Sequence, residues 1–349
     1  MNIEKKIIGH LNKCYSIAPL HYQEHDFFLV AAEKQDPCYL YDLEGNQISK
    51  IWDGPGGVMS MVQIPETNGE FLATFQFYSP NDSKEAKIVR VIPKKDGSWA
   101  TQILAELPHV HRFDILKCNG AHFLIACTLK SGHNHKDDWS SPGKVYAALL
   151  PEDLSGISEK NPLKFTVLKD NMLKNHGYCR CLENGQETAL ISCQEGVFQF
   201  FPPESANEPW KIHSLLDTPA SDAVLIDLDG DGQKELCVIS PFHGEKISIY
   251  ANKDSQYKKV YDYPEAAEFS HAICACTLCG TPAFVFGHRK GKRNLVAITW
   301  DKTSGTYKET LLDADCGPAN VFYYQKNQKD ILISTNREID EIAMYQIDC

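Results

Sequence analysis

Ala223-Val224-Leu225-Ile226-Asp227-Leu228-Asp229-Gly230-Asp231-Gly232 is followed by Glu235-Leu236-Cys237-Val238-Ile239-Ser240, Lys246-Ile247-Ser248-Ile249-Tyr250 and Tyr257-Lys258-Lys259-Val260-Tyr261. These four β-rich runs, separated by tight turns, read as one up-and-down unit. The next stretch repeats it with runs beginning at His271, Ala283, Asn294 and Tyr307. Earlier copies begin near Tyr15, Val58, His111 and His176, and a last one near Ala319 supplies only three strands, ending at Met344-Tyr345-Gln346-Ile347. Seven starts, roughly 40 to 65 residues apart, match the spacing of propeller blades.

The missing fourth strand has a candidate in Lys5-Lys6-Ile7-Ile8-Gly9-His10-Leu11, which resembles the outer strands of the other units. The expected fold is therefore all-β: a single seven-bladed β-propeller domain of four-stranded blades spanning residues 1–349. A strand of about residues 3–12 pairs with a last blade of about 319–349 and closes the ring. Closure removes the free edges that an open solenoid or a sandwich pair would leave.

A net charge of −11 argues against nucleic acid, which demands clustered Lys and Arg. Lys290-Gly291-Lys292-Arg293 reads as a solvated loop. Met1-Asn2-Ile3-Glu4-Lys5-Lys6 has no apolar signal core, and no stretch approaches membrane-spanning length. Thirteen cysteines, an odd count without regular spacing, fit reduced thiols in a cytoplasmic protein. Cys274, Cys276 and Cys279 tempt a zinc reading. Cys179 and Cys181 share that register on an earlier inner strand, which makes these residues small core fillers. The sequence does not set an oligomeric state.

Asp227, Asp229, Asp231 and Glu235 place carboxylates at alternate positions around a glycine turn, as a loop wrapping a hard cation does. This blade resembles the FG-GAP or VCBS repeat of integrin-type propellers, and the resemblance implies a structural Ca or Mg ion. The same turn has decayed elsewhere to Thr67-Asn68-Gly69, Cys118-Asn119-Gly120 and Glu183-Asn184-Gly185. The plainer alternative is an Asp-Gly hairpin with solvated carboxylates.

That turn fixes an alignment. Counting back nine residues from Gly120, Gly185 and Gly280 lands on His111, His176 and His271, at the start of the innermost strand. Inner strands line the channel, so the three imidazoles are expected at one depth, as ligands for Zn or Mn. In an up-and-down blade, the loop joining strands two and three shares a face with the links between blades. That face collects Tyr78, His133, His135, His243, His288, Arg289 and Arg337, with His109 and Asp222 on the links.

A metal with neighbouring His, Tyr and Arg suits β-elimination from a sugar. The arrangement resembles the propeller domain of aldos-2-ulose dehydratase and, more distantly, propeller polysaccharide lyases. The expectation is a metal-dependent lyase or dehydratase acting on a keto-sugar or glycoside. His133 or His135 is the base, Tyr78 the acid, and Arg289 and Arg337 the anion clamps; His109, Asp222, His243 and His288 contact substrate. Two alternatives stand beside it. One is a non-catalytic propeller binding a ligand or a protein. The other is a glycoside hydrolase using Asp222 with Asp137 or Asp138.

Overall fold

Alternating apolar residues place each strand's two faces against two different neighbours, and that determines the architecture. In the computed structural model, which describes residues 1–135, 137–205 and 208–349, the chain is all β. Seven four-stranded antiparallel sheets form a ring, and the inner strand of each sheet adjoins that of the next. The inner strands are Cys14–Tyr22, Met61–Gln63, Val110–Cys118, Gly177–Glu183, Asp222–Ile226, Ser270–Leu278 and Asn320–Lys326, which head blades 1 to 7 in that order.

Seven apolar clusters fill the seven gaps between blades. Glu235–Ser240 shows the rule. Leu236 and Val238 pack towards blade 4, while Cys237 and Ile239 pack towards blade 6. Buried on both faces, such a strand reads as a continuous apolar run.

The seventh blade has three strands from the end of the chain and one from its start. Asn2–His10 pairs antiparallel with Glu341–Asp348, from Asn2 opposite Asp348 to His10 opposite Glu341. Ile3 packs into the gap between blades 6 and 7, and Ile8 into the gap between blades 7 and 1. Lys5 Nζ holds Asp313 and Glu341, each at 2.8 Å. Without this strand, Glu341–Asp348 would present an unpaired edge, a template for association with other chains. Deleting residues 1–10 will lower the melting temperature by roughly 10 °C or more and shift the protein to aggregates on size-exclusion chromatography. A monomer melting like the intact chain would refute this account of closure.

Candidate functional site

The site follows from how the inner hairpins of blades 3, 4 and 6 turn. Their two turn residues have positive φ: Asn119 and Gly120 (47° and 81°), Asn184 and Gly185 (49° and 82°), Cys279 and Gly280 (50° and 72°). This is the two-residue hairpin whose twist matches that of its strands, and it pins the register. Nine residues upstream stand His111, His176 and His271. Blade 1 turns the same way without glycine, at Gln23 and Glu24 (50° and 62°), and nine residues before Glu24 stands Tyr15. The strand register slips at Tyr15, His111 and His271, so each occupies a bulge, which re-aims its side chain.

Each histidine is tied to the next histidine-level blade wall by its Nδ1. His111 Nδ1 donates to the His176 carbonyl (3.3 Å), His176 Nδ1 to the Ser221 carbonyl (3.2 Å), and His271 Nδ1 to the Ala319 carbonyl (2.6 Å). Asp222 Oδ2 also lies 3.1 Å from His176 Nδ1. A neutral imidazole donating from Nδ1 offers its lone pair at Nε2. Tyr15 uses one of these lone pairs, its hydroxyl donating to His271 Nε2 at 2.8 Å.

His176 and His271 are brought together with His243, in place of the expected His111: one ring nitrogen from each of the three lies within 4.8 Å of the others. His243 arrives from the loop after Glu235–Ser240 with φ of 48°, clamped between the Phe242 and Phe269 rings (centroids at 3.9 and 4.3 Å). Its Nε2 stands 3.2 Å from His176 Nε2. The Nδ1 bond of His111 instead lays its ring over His176, with centroids 4.6 Å apart.

Burial, reinforced by the neighbouring His176, holds His111, His243 and His271 well below the ordinary histidine range, so all three are neutral at pH 7. Burial also pushes the Tyr15 phenol up to about 12. Beside the cluster, a cavity of about 430 Å³ runs along the inner strands from His271 and Asp222 past Arg112 and Tyr178 to Asp114 and Arg180.

The other residues singled out from the sequence occupy the loop face with different commitments. The Tyr78 hydroxyl donates to the Pro55 carbonyl at 3.1 Å. Arg289 is held by Glu338 (2.7 Å), and Arg337 by Glu338 (2.8 Å) and Glu33, so neither guanidinium is a vacant clamp. His288 donates to the Lys290 carbonyl and accepts from Asn294 N, which leaves no nitrogen for a substrate. His133 packs edge-on against His109, whose Nδ1 lies 2.7 Å from Ser83 Oγ, and His135 is exposed. The long insertion does reach the cluster, through Trp139, whose ring lies 5.6 Å from Phe242. Asp138, buried, accepts from Asn134 N and Ser140 N, and exposed Asp137 from Asn81, so neither is paired with Asp222.

At the Asp-rich turn, Asp227, Asp229 and Glu235 each offer an oxygen within 4.8 Å of the others, whereas Asp231 accepts from Gln233 N. Burial pushes Glu235 up to about 7, with Asp229 and Asp227 adding to the effect.

Comparison with solved structures shows the fold. The chain is similar to a protein described as "Streptogramin B lyase structure", with a TM-score of 0.58, 14% identity, and coverage of 100% of this chain and 99% of that one. It is also similar to the Dos1 propeller, with a TM-score of 0.56, 10% identity, and coverage of 95% of this chain and 77% of that one. Both likenesses lie in backbone, not in sequence. No protein-family model matches the chain, and no curated protein does. The FG-GAP resemblance therefore rests on the one Asp-rich turn.

The neutral histidines make stability depend on pH. Burial, with His133 nearby, pushes His109 down to about 4 from an ordinary 6.5. A depressed folded-state value contributes stability above pH 6.5 that is lost as pH falls towards 4. In a Glu235→Gln background, which removes the opposing effect of that raised carboxyl, denaturant midpoints will be lower at about pH 5 than at about pH 7.5, and His109→Gln will shrink the difference. Equal midpoints in that background would contradict a buried neutral imidazole at His109.

Proposed function

We propose that the chain is a lyase that eliminates across a C–O bond of a small carbohydrate, a keto-sugar or glycoside, at the head of the propeller channel. The observation that carries this reading is the meeting of His176, His243 and His271 beside the Tyr15 hydroxyl, at the end of a cavity of about 430 Å³. That volume suits a sugar-sized ligand. The occurrence of the fold in a protein named a lyase supports the reaction class.

The donor set fits a divalent transition metal, Zn or Mn. Two nitrogens on one tetrahedral Zn stand about 3.3 Å apart, and the His176 and His243 Nε2 atoms are separated by 3.2 Å. Asp222 on His176 and the Ala319 carbonyl on His271 are the outer contacts that aim a ligating imidazole. When bound, the ion supplies polarisation of a substrate oxygen, which acidifies the adjacent C–H. His271 Nε2 now takes the Tyr15 hydroxyl, so ligation and that hydrogen bond compete for one lone pair.

The chain's own groups do the rest. Phe242 and Phe269 hold the His243 ring, and Asp222 fixes the tautomer of His176. His111, neutral, outside the ligand trio and engaged only through Nδ1 among the described residues, is the imidazole left to receive the proton leaving carbon. Tyr15, pushed up to about 12, keeps its proton at neutral pH and is the donor to the departing oxygen. Asp227, Asp229 and Glu235 serve a second, structural Ca or Mg ion. Thirteen free thiols, nine of them buried, suit the reducing cytoplasm.

Elemental analysis tests the metal: wild-type protein will carry Zn or Mn, and His176→Ala will lose it, while the same measurement reads Ca and Mg. No transition metal in the wild type removes the ligand role of the trio. Tyr15→Phe will lower elimination, followed by ultraviolet absorbance of the new conjugated double bond, by about 10²- to 10⁴-fold. Silence from keto-sugars and glycosides alike would end the lyase reading.

A further inference from the structure

Arg112 lies on the inner strand Val110–Cys118, directly after the His111 bulge, and lines the channel cavity half-buried. Its Nη1 donates to the Met59 carbonyl at 2.6 Å, and its guanidinium lies 5.6 Å from the Tyr15 ring centre. Among the described residues it makes no ion pair and no other side-chain hydrogen bond, so the Nε and Nη2 edge is uncommitted. The contrast with the second cavity arginine is direct. Arg180 holds Asp114 through Nε at 3.0 Å and through Nη2, and reaches Glu187 at 3.4 Å. Asp222, the other cavity carboxylate, is engaged with His176.

The histidines around Arg112 give it no counter-charge. A cation half-withdrawn from water without a partner is costly unless an anion completes it. The Tyr178 hydroxyl, also on the cavity wall, makes no hydrogen bond among the described residues and lies beside Asp114, so Arg112 is the donor the subsite rests on. One open guanidinium edge matches the planar, singly charged carboxylate in two parallel N–H···O bonds. A doubly charged phosphate would leave negative charge uncompensated.

We infer that Arg112 anchors an anion subsite in the channel cavity, and that the molecule it takes carries a carboxylate. Tyr15 lies between this anchor and His271, so a carboxylate held there keeps the rest of a sugar-sized ligand beside the proton-transfer groups. The subsite depends on the lyase reading only for its purpose, not for its existence.

Calorimetric titration of EDTA-treated protein, which has no turnover to confuse the signal, tests the subsite alone. D-glucuronate will bind the wild type, and D-glucose will not. Arg112→Gln will weaken glucuronate at least tenfold. Asp114→Asn, which relieves Arg180 of its carboxylate, will tighten it, whereas general damage to the cavity would weaken binding in both variants. The inference is overturned by glucuronate failing to bind, by glucose binding equally, by Arg112→Gln binding as wild type does, or by Asp114→Asn weakening the complex. Inorganic phosphate binding while glucuronate stays silent overturns the carboxylate assignment. Glucuronate binding without any elimination activity would keep the subsite and discard the lyase.

Discussion

One pairing governs this molecule: Asn2–His10 against Glu341–Asp348. Six blades can be laid down in chain order, but each is covered on both faces only if the last also meets the first. The strand from the start of the chain does this while feeding side chains into both adjacent gaps, Ile3 on one side and Ile8 on the other. The apolar clusters between blades are each modest, and the circular arrangement makes them depend on one another. Loss of one gap would let the ring open and relax the rest.

The same circle assembles the channel head. Tyr15 and His271 touch although 256 residues separate them, because blade 1 and blade 6 both face the axis. The Nδ1–H bonds from imidazole to carbonyl then orient His111, His176 and His271, stacking between two phenylalanines orients His243, and burial keeps His111, His243 and His271 uncharged. The outcome is a set of oriented imidazoles around an axis that also carries the Arg112 guanidinium, without an ion pair among the described residues. The fold supplies the convergence, and a few hydrogen bonds choose which atoms are offered.

Most of the fold was legible because the turn chemistry is written in plain residues. Asn-Gly or Cys-Gly at three inner hairpins gives the phase, and the phase gives the blade starts. Tyr15 obeys the same nine-residue count, but its turn uses Gln23 and Glu24, which carry no glycine signal. It was recognisable as a blade start and not as a member of the ring. The sequence puts His243 on the loop face as a substrate contact but not with His176 and His271, for a different reason: no strand period places it, and its left-handed backbone and two flanking phenylalanines swing it inward. Arg289 and Arg337 looked like free cations because their partners, Glu338 and Glu33, are close in space and unremarkable in the sequence. Charge pairing across loops leaves no period to read.

Closing the circle with the chain's own two ends has a topological consequence. Asn2 stands directly opposite Asp348, so the polypeptide behaves as a loop whose break falls inside a blade. A short linker across that break, with new ends cut between two other blades, would preserve every sheet contact of the ring. In such a permuted chain blade 7 would be continuous and the residues of the channel head would still converge, since their meeting depends on angular order around the axis and not on which residue is made first.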